Sequence, residues 1–499
     1  MDWRRIRPGP VEAGSRVVDT AEHVTQFTAD HRRATHAVAA PQLAPRTFDS
    51  ICDICLQDAP GRVMRRGNDV YYRRTCPDHG ERDVLVSHNG DDYERFDRAY
   101  HALFPDGQPV TPPVQRFFFI TNACNLGCTY CLNEANVHEY FGEYDLQRFE
   151  ADLAEWHGDR ISLIGGEPFS HRRWDEFAAA AHRHQKRVVI FTNGLALADE
   201  KKVERLVAVT GGDCEIHMTF EGFTPELYDH LPVGRAHERK VAALKNIVKH
   251  DVSVALHATL EPGQTKRPPH ERARSIRALI DYAAEHPFVH AVAFQVAAAI
   301  GGAKDIDSSD LSSVDRSMDD IVAALPVPIE RRHVYVGQKL LGLATAALQV
   351  PLCEQIQVVP LFRVGDRWLT LNDLFDCDAL DRRLDAALKV PPTSRVGLVR
   401  LLTSLMVLSV RVRQLPALLR LGWQVLPVFL RGFELSKVPR SILPIASTTV
   451  CDRYNFDGSV ARRCDKTVFT NVNGKVISEL ASEMSLRHLR ERPPTVANP

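Results

Sequence analysis

The sequence has almost no net charge. Its 62 lysines and arginines face 63 aspartates and glutamates, which leaves −1 with histidine neutral. So even a balance gives no electrostatic footprint for nucleic acid and argues against it as a partner. Long apolar runs are missing too: nothing approaches the roughly 20 residues needed to span a bilayer. There is no internal repeat, no low-complexity tract, and no short apolar stretch in the charged, polar N-terminus. A secretory leader is therefore not expected. The 11 cysteines are then expected in a reducing, cytoplasmic interior, serving metals rather than disulfides. What the chain does have is length and apolar content. At 499 residues and 44% hydrophobic, it can bury a large core in two or three domains.

Three of the cysteines organise the rest. The stretch Thr121-Asn122-Ala123-Cys124-Asn125-Leu126-Gly127-Cys128-Thr129-Tyr130-Cys131 follows the apolar run Phe117–Ile120, which reads as a buried strand. The cysteines thus sit, spaced C-x3-C-x2-C, on the loop where a strand ends. Three thiolates can hold three irons of a four-iron cluster and leave the fourth open to a small molecule. Three unrelated buried thiols, or part of a zinc site, are the alternatives that spacing leaves standing.

Downstream, Ile161–Ile164 reads as a second buried strand running into Gly165-Gly166-Glu167-Pro168. The glycines permit close backbone approach, and the Glu-Pro pair stiffens an exposed edge. Val188–Phe191 ends in Thr192-Asn193-Gly194, and Glu215–Phe220 ends in Glu221-Gly222. Residues 252–260 and 289–296 read as two further strands. Helical periodicity fits 145–157, 174–184, 198–209, 240–250 and 271–285 between them. Parallel strands that finish in polar and glycine turns predict an α/β fold, a partial (βα)6 TIM-like barrel with its site at the strands' C-terminal ends.

A compact module precedes this core. Cys52-Asp53-Ile54-Cys55 and Cys76-Pro77-Asp78-His79-Gly80 are two knuckles, and between them Gly67-Asn68 marks a hairpin. Such pairs place four ligands tetrahedrally, and a Cys3His set favours zinc, with mononuclear iron as the alternative. The expected organisation is a poorly ordered tail over 1–46, this zinc-ribbon or rubredoxin-like module over 47–110, the core over 111–330, and a mainly helical C-terminal domain over 331–499.

The cysteine loop together with the Gly-Gly-Glu-Pro strand end resembles the radical S-adenosylmethionine (SAM) superfamily. The N-terminal C-x2-C…C-P-x-H-G module narrows the resemblance to the class D radical methylases, of the archaeal pterin methylase type, and the tetraether lipid synthases. Pro351-Leu352-Cys353 and Tyr454-Asn455-Phe456-Asp457…Arg462-Arg463-Cys464 are similar to that group's C-terminal elements. The chain departs from the group at Cys464-Asp465, where paired cysteines are expected, and at Glu221, where aspartate is commoner. The resemblance implies that Cys124, Cys128 and Cys131 hold a 4Fe–4S cluster whose open iron binds SAM. Backbone at Gly165, Gly166, Glu167 and Pro168 would receive the SAM amino group. Tyr130 would pack near the adenine, and Asn193 and Thr219 would approach the cofactor. Reductive cleavage of SAM to a 5′-deoxyadenosyl radical, with an electron donor such as flavodoxin or ferredoxin, would abstract hydrogen from an unactivated carbon. C-methylation or C–C bond formation would follow.

The four cysteines beyond the core, Cys353, Cys377, Cys451 and Cys464, suffice in number for an auxiliary 4Fe–4S cluster; scattered core thiols are the alternative. From Ala386 to Phe433 there are seven basic residues and no acidic one, in an otherwise apolar, Trp-bearing stretch. Two helices there would either pack on the barrel with arginines in solvent or meet an anionic membrane surface peripherally. The second reading points to a lipid-like substrate. Methylation of a small soluble heterocycle, or a radical SAM scaffold without turnover, are the competing functions.

Overall fold

The computed structural model describes residues 46–105, 115–133, 135, 142–231, 233–262, 266–348, 353–430, 440–461, 466–470 and 476–480. The tail expected over 1–46 thus lies outside the described residues, apart from Arg46.

Four antiparallel strands come first: β1 (Thr47–Ile51), β2 (Asp58–Arg66), β3 (Asp69–Cys76) and β4 (Gly80–Ser87), in that spatial order. Arg66 pairs with Asp69, so Gly67 and Asn68 close the expected two-residue turn. Gly67 has φ +62°, which glycine adopts without a Cβ clash. Helix α1 (Gly90–Leu103) follows and buries Tyr93, Phe96 and Tyr100 against Phe48, Val70 and Tyr72 of this sheet.

The core is one sheet. Strands β5 (Gln115–Thr121), β6 (Arg160–Gly165), β7 (Arg187–Thr192), β8 (Cys214–Thr219), β9 (Ser253–Leu260) and β10 (Val289–Val296) are parallel neighbours in sequence order. Helices α2 (Leu146–Glu155), α3 (Trp174–Arg183), α4 (Glu200–Thr210), α5 (Ala236–Lys249) and α6 (Pro269–Glu285) connect them. Each of these segments was legible as helix because its apolar residues recur at helical spacing. Ile161, Leu163, Val188, Ile190, Ile216, Met218, Val254 and Leu256 share one apolar cluster with Phe177, Leu206, Leu244 and Leu279 of the helices. Side chains alternate along a strand, so Ser162, Phe191, Glu215, His217 and His257 face the barrel interior.

Beyond the core come α7 (Val314–Ala324), α8 (Arg331–Leu348), the strands β11 (Ile356–Val364) and β12 (Arg367–Leu369), and the helices α9 (Leu371–Leu374), α10 (Cys377–Ala387), α11 (Arg395–Ser409) and α12 (Leu415–Leu430). The C-terminal region is helical as expected, and it also returns to the sheet. Strand β13 (Ile442–Thr448) pairs parallel with β10, β11 pairs antiparallel with β13, and β12 with β11. At the other edge, β14 (Lys466–Thr470) lies parallel to β5 and β15 (Val476–Leu480) antiparallel to β14. The result is an 11-stranded sheet with β12 and β15 at its edges. A short helix, α13 (Gly458–Ala461), packs on β1.

Candidate active site and metal module

The cysteine loop leaves the end of β5 and is held by the end of β6. Gly166 N donates to Thr121 O and Glu167 N to Ala123 O, both at 2.8 Å. A Cβ on Gly165, whose φ is +141°, would lie 2.0 Å from Thr121 O, and one on Gly166 2.4 Å from Ala123 O. Only glycine lets the two backbones meet this closely. Asn133, just beyond Cys131, donates to Gly165 O at 2.8 Å. The strand end expected to meet the cofactor thus also locks the loop, through Gly166 N, Glu167 N and Gly165 O.

Glu167 is fully buried. Its carboxylate accepts from Phe169 N at 3.1 Å, Thr192 Oγ1 at 2.8 Å and Asn193 N at 2.7 Å. Burial pushes this carboxyl above its ordinary range, against the pull of those donors. Asn193 then reaches Asn125 Oδ1 at 2.7 Å and lies 3.9 Å from Cys124 Sγ. Pro168 opens a short 3-10 turn over Pro168–Ser170.

Cys124 and Cys128 pack against Leu126, Leu195, Leu227 and Tyr228. Desolvation there pushes Cys124 up to about 11 and Cys128 to about 12. Half-buried thiols held protonated in this way become thiolate ligands when a metal displaces the proton. Cys124, Cys128 and Cys131 share one short loop that backbone contacts hold at the end of β5, and three thiols so placed fit three irons of a 4Fe–4S group.

Tyr130 donates to or accepts from His230 Nε2 at 2.6 Å, and burial holds its hydroxyl well above the ordinary tyrosine range. Thr219 Oγ1 is occupied by Lys240 Nζ at 3.1 Å. Lys240, 1% exposed, also pairs with Glu221 Oε2 at 2.9 Å. Glu221 is thus a buried ion-pair partner, and neither Lys240 nor His230 carried a sequence signal.

Sequence reading missed a second clamp as well. Gly302 N, beyond β10, donates to Cys131 O at 2.9 Å. A Cβ on Gly301 would lie 2.4 Å from Cys131 O, and one on Gly302 2.8 Å from Thr129 O. The signal was faint: Gly301-Gly302 stands five residues beyond β10, whereas Gly165-Gly166 directly ends β6.

The N-terminal knuckles close as expected. Cys52 Sγ and Cys76 Sγ lie 3.6 and 3.5 Å from His79 Nδ1, and Cys55 Sγ lies 3.8 Å from Cys76 Sγ. Tetrahedral zinc with bonds of about 2.0–2.3 Å sets its ligand atoms about 3.5–3.8 Å apart. The four residues fit zinc, with Ile54 N directed at Cys52 Sγ, 3.5 Å away, as a supporting donor.

Three of the four distal cysteines fall among the described residues. Cys377 is buried among leucines of α8, α10 and α11, and Cys451 packs with Ile51, Ala298 and Ile300 in another cluster. Cys353 precedes β11 and is half-buried. Cys464 lies outside the described residues. The adjoining Tyr454–Asp457 stretch serves the first module: Arg74 donates to Tyr454 O, Ser50 Oγ to Phe456 O at 2.6 Å, and Arg46 pairs with Asp457 at 2.7 Å.

The model of the radical SAM superfamily matches residues 118–276. The chain carries a radical SAM domain. Residues 44–88 match the HMPTM N-terminal zinc ribbon domain, which adds a zinc site to the 4Fe–4S cluster and SAM that a radical SAM domain takes. The chain is similar to 7,8-dihydro-6-hydroxymethylpterin dimethyltransferase of Methanocaldococcus jannaschii, at 25% identity over 36% of this chain and 40% of that protein. PqqA peptide cyclase of Ruegeria pomeroyi is 28% identical over 30% of this chain and 41% of its own length. These matches thus span about two fifths of each relative. Among solved structures, Streptococcus suis SuiB bound to S-adenosylmethionine aligns with 39% of this chain and 43% of its own, at 17% identity and TM-score 0.33. No helix among the described residues is long and apolar enough to cross a membrane.

Proposed function

We propose that the chain is a radical SAM enzyme that removes hydrogen from an unactivated carbon, leading to C-methylation or C–C bond formation on a lipid-like substrate. The observation that carries this reading is the cysteine loop, locked from both sides by Gly165-Gly166 and Gly301-Gly302, with Cys124 and Cys128 against an apolar cluster. Cys124, Cys128 and Cys131 would hold the cluster, which when bound delivers an electron to the SAM sulfonium. Glu167 and Asn193 keep the loop in register with β7, so the thiols stay preorganised. Tyr130 and His230 form a hydrogen-bonded wall beside it, and the buried Lys240–Glu221 pair fixes the end of β8. Leu126, Leu195 and Leu227 pack beside Cys124 and Cys128 and reduce their contact with water.

A flavodoxin or ferredoxin would supply electrons. The basic, apolar stretch over 386–433 supports a cytoplasmic protein acting at the inner membrane face. Methylation of a small soluble heterocycle is the second reading, favoured by the similarity to a pterin dimethyltransferase.

Anaerobically reconstituted protein should be brown and, with dithionite, convert SAM to 5′-deoxyadenosine; Cys128→Ala should do neither. A colourless, inert wild-type protein would leave a scaffold without turnover. Mass spectrometry after incubation with lipid or pterin acceptors separates the two substrate readings.

A further inference from the structure

We infer that the outer face of α11 and α12 is a docking surface for an anionic lipid bilayer. Among the described residues, every exposed large apolar side chain falls between Val390 and Trp423. Val412 is 82% exposed, Trp423 79% and Val407 67%. Elsewhere among the described residues such groups are covered; here they are gathered.

The gathering is not a by-product of poor packing. Helix α11 already seats Leu398 and Leu405 on Leu343, Leu380 and Leu384 of α8 and α10. Its opposite side carries Val399, Val407 and Leu408 in solvent. That solvent side mixes Val399, Val407 and Leu408 with exposed Arg400, Thr403 and Ser404, the apolar and basic mixture of a helix lying at a membrane interface.

Charge selects the occupant. No aspartate or glutamate occurs from Ala386 to Phe433, in a chain whose charges otherwise balance. Two of the seven basic residues there are engaged by the protein's own backbone: Arg395 donates to Ala347 O at 3.2 Å, and Arg411 to Asn372 O at 2.9 Å. Arg400, Arg413 and Arg420 are exposed beside the apolar side chains. Exposed valines and leucines, an interfacial tryptophan and arginines without an acid among them match anionic headgroups over acyl chains. With 15 and 16 residues, α11 and α12 lie on such a surface and do not cross it.

This inference deepens the lipid-like reading of the active site and rests on it only for the substrate. Docking would bring an acyl chain to the protein without its passage through water.

The test is flotation of the full-length reconstituted protein with vesicles of phosphatidylglycerol and phosphatidylcholine, compared with phosphatidylcholine alone. Binding to the anionic vesicles, weakened by salt, is expected. Each basic side chain near such a surface contributes about fivefold to partitioning, so R400Q/R413Q/R420Q should weaken binding about a hundredfold. L408S/W423S should also release the protein. Both variants should keep wild-type melting and wild-type cleavage of SAM by dithionite, since none of these residues approaches the cysteine loop. Wild-type protein that stays unbound, equal binding to neutral vesicles, or variants that bind undiminished would each overturn the inference. So would a dimer, seen by light scattering, that L408S/W423S splits without any vesicle binding. Loss of SAM cleavage in the wild type would instead count against the active-site reading, because flotation does not depend on turnover.

Discussion

The Glu167 carboxylate accepts a hydrogen bond from the Asn193 amide at 2.7 Å, joining the end of β6 to the end of β7. Asn193 passes the constraint on to Asn125, inside the cysteine loop. Two residues far apart in sequence thereby hold a loop that neither belongs to. Glu167→Ala would leave the buried amides of Phe169 and Asn193 without their acceptor. Each such group costs about 1–3 kcal/mol, so a clear drop in melting temperature and in iron bound per chain is expected. Wild-type iron content and melting in this variant would show that other contacts hold the loop.

Gly166→Ala and Gly302→Ala should both empty the cluster site while sparing the ribbon. The added methyl would meet Ala123 O at 2.4 Å in the first variant and Thr129 O at 2.8 Å in the second. Backbone must shift in either case, and the thiols move with it. Iron and sulfide should fall well below wild type while zinc stays at its wild-type level. A variant that loads a full cluster would contradict the clamp.

Lys240 and Glu221 form an ion pair in which both side chains are almost fully buried. Breaking one half strands a charge, at about 3–5 kcal/mol, whereas replacing both partners costs much less. Lys240→Met should therefore destabilise strongly, and Lys240→Met with Glu221→Gln should recover much of the loss. Chemical denaturation of the single and double variants measures the coupling. Strictly additive losses would mean that the pair is energetically independent.

Acid should destabilise the barrel through its interior. Glu215 and His217 on β8, His257 on β9 and His290 on β10 form a hydrogen-bonded chain, with Arg160 of β6 and Arg187 of β7 beside the carboxylate. Burial lowers both His217 and His257, the latter from 6.5 to about 3. Burial would raise Glu215, but donation from His217 and His290 outweighs it and the carboxyl lies below its ordinary 4.5. All three shifts are depressions, so the stability they confer is present above the unfolded values and lost as pH falls. Loss should begin below about 6.5 and steepen below 4.5, at about 1.4 kcal/mol per pH unit for each extra proton taken up on unfolding. His257→Gln should flatten the slope between pH 6.5 and 4.5. An unchanged slope would place the acid sensitivity elsewhere, such as the metal ligands.

The sequence by itself determined whatever is local. The C-x3-C-x2-C spacing, the glycine pair that ends β6, the two knuckles and the helical periodicities each lie within about 20 residues, so pattern and chemistry suffice to read them. Distant pairings were decided only by the tertiary structure. Five strands from the last third of the chain join the barrel sheet at both edges, because β-pairing depends on register and free edges rather than on local pattern. Gly302 meets Cys131 across some 170 residues, and Lys240 meets Glu221 from a helix whose periodicity says nothing of what its inner face touches. The cysteines show the division clearly. Cys52, Cys55, Cys76 and His79 were joined by spacing, whereas the different surroundings of Cys377 and Cys451 became visible only in the tertiary structure.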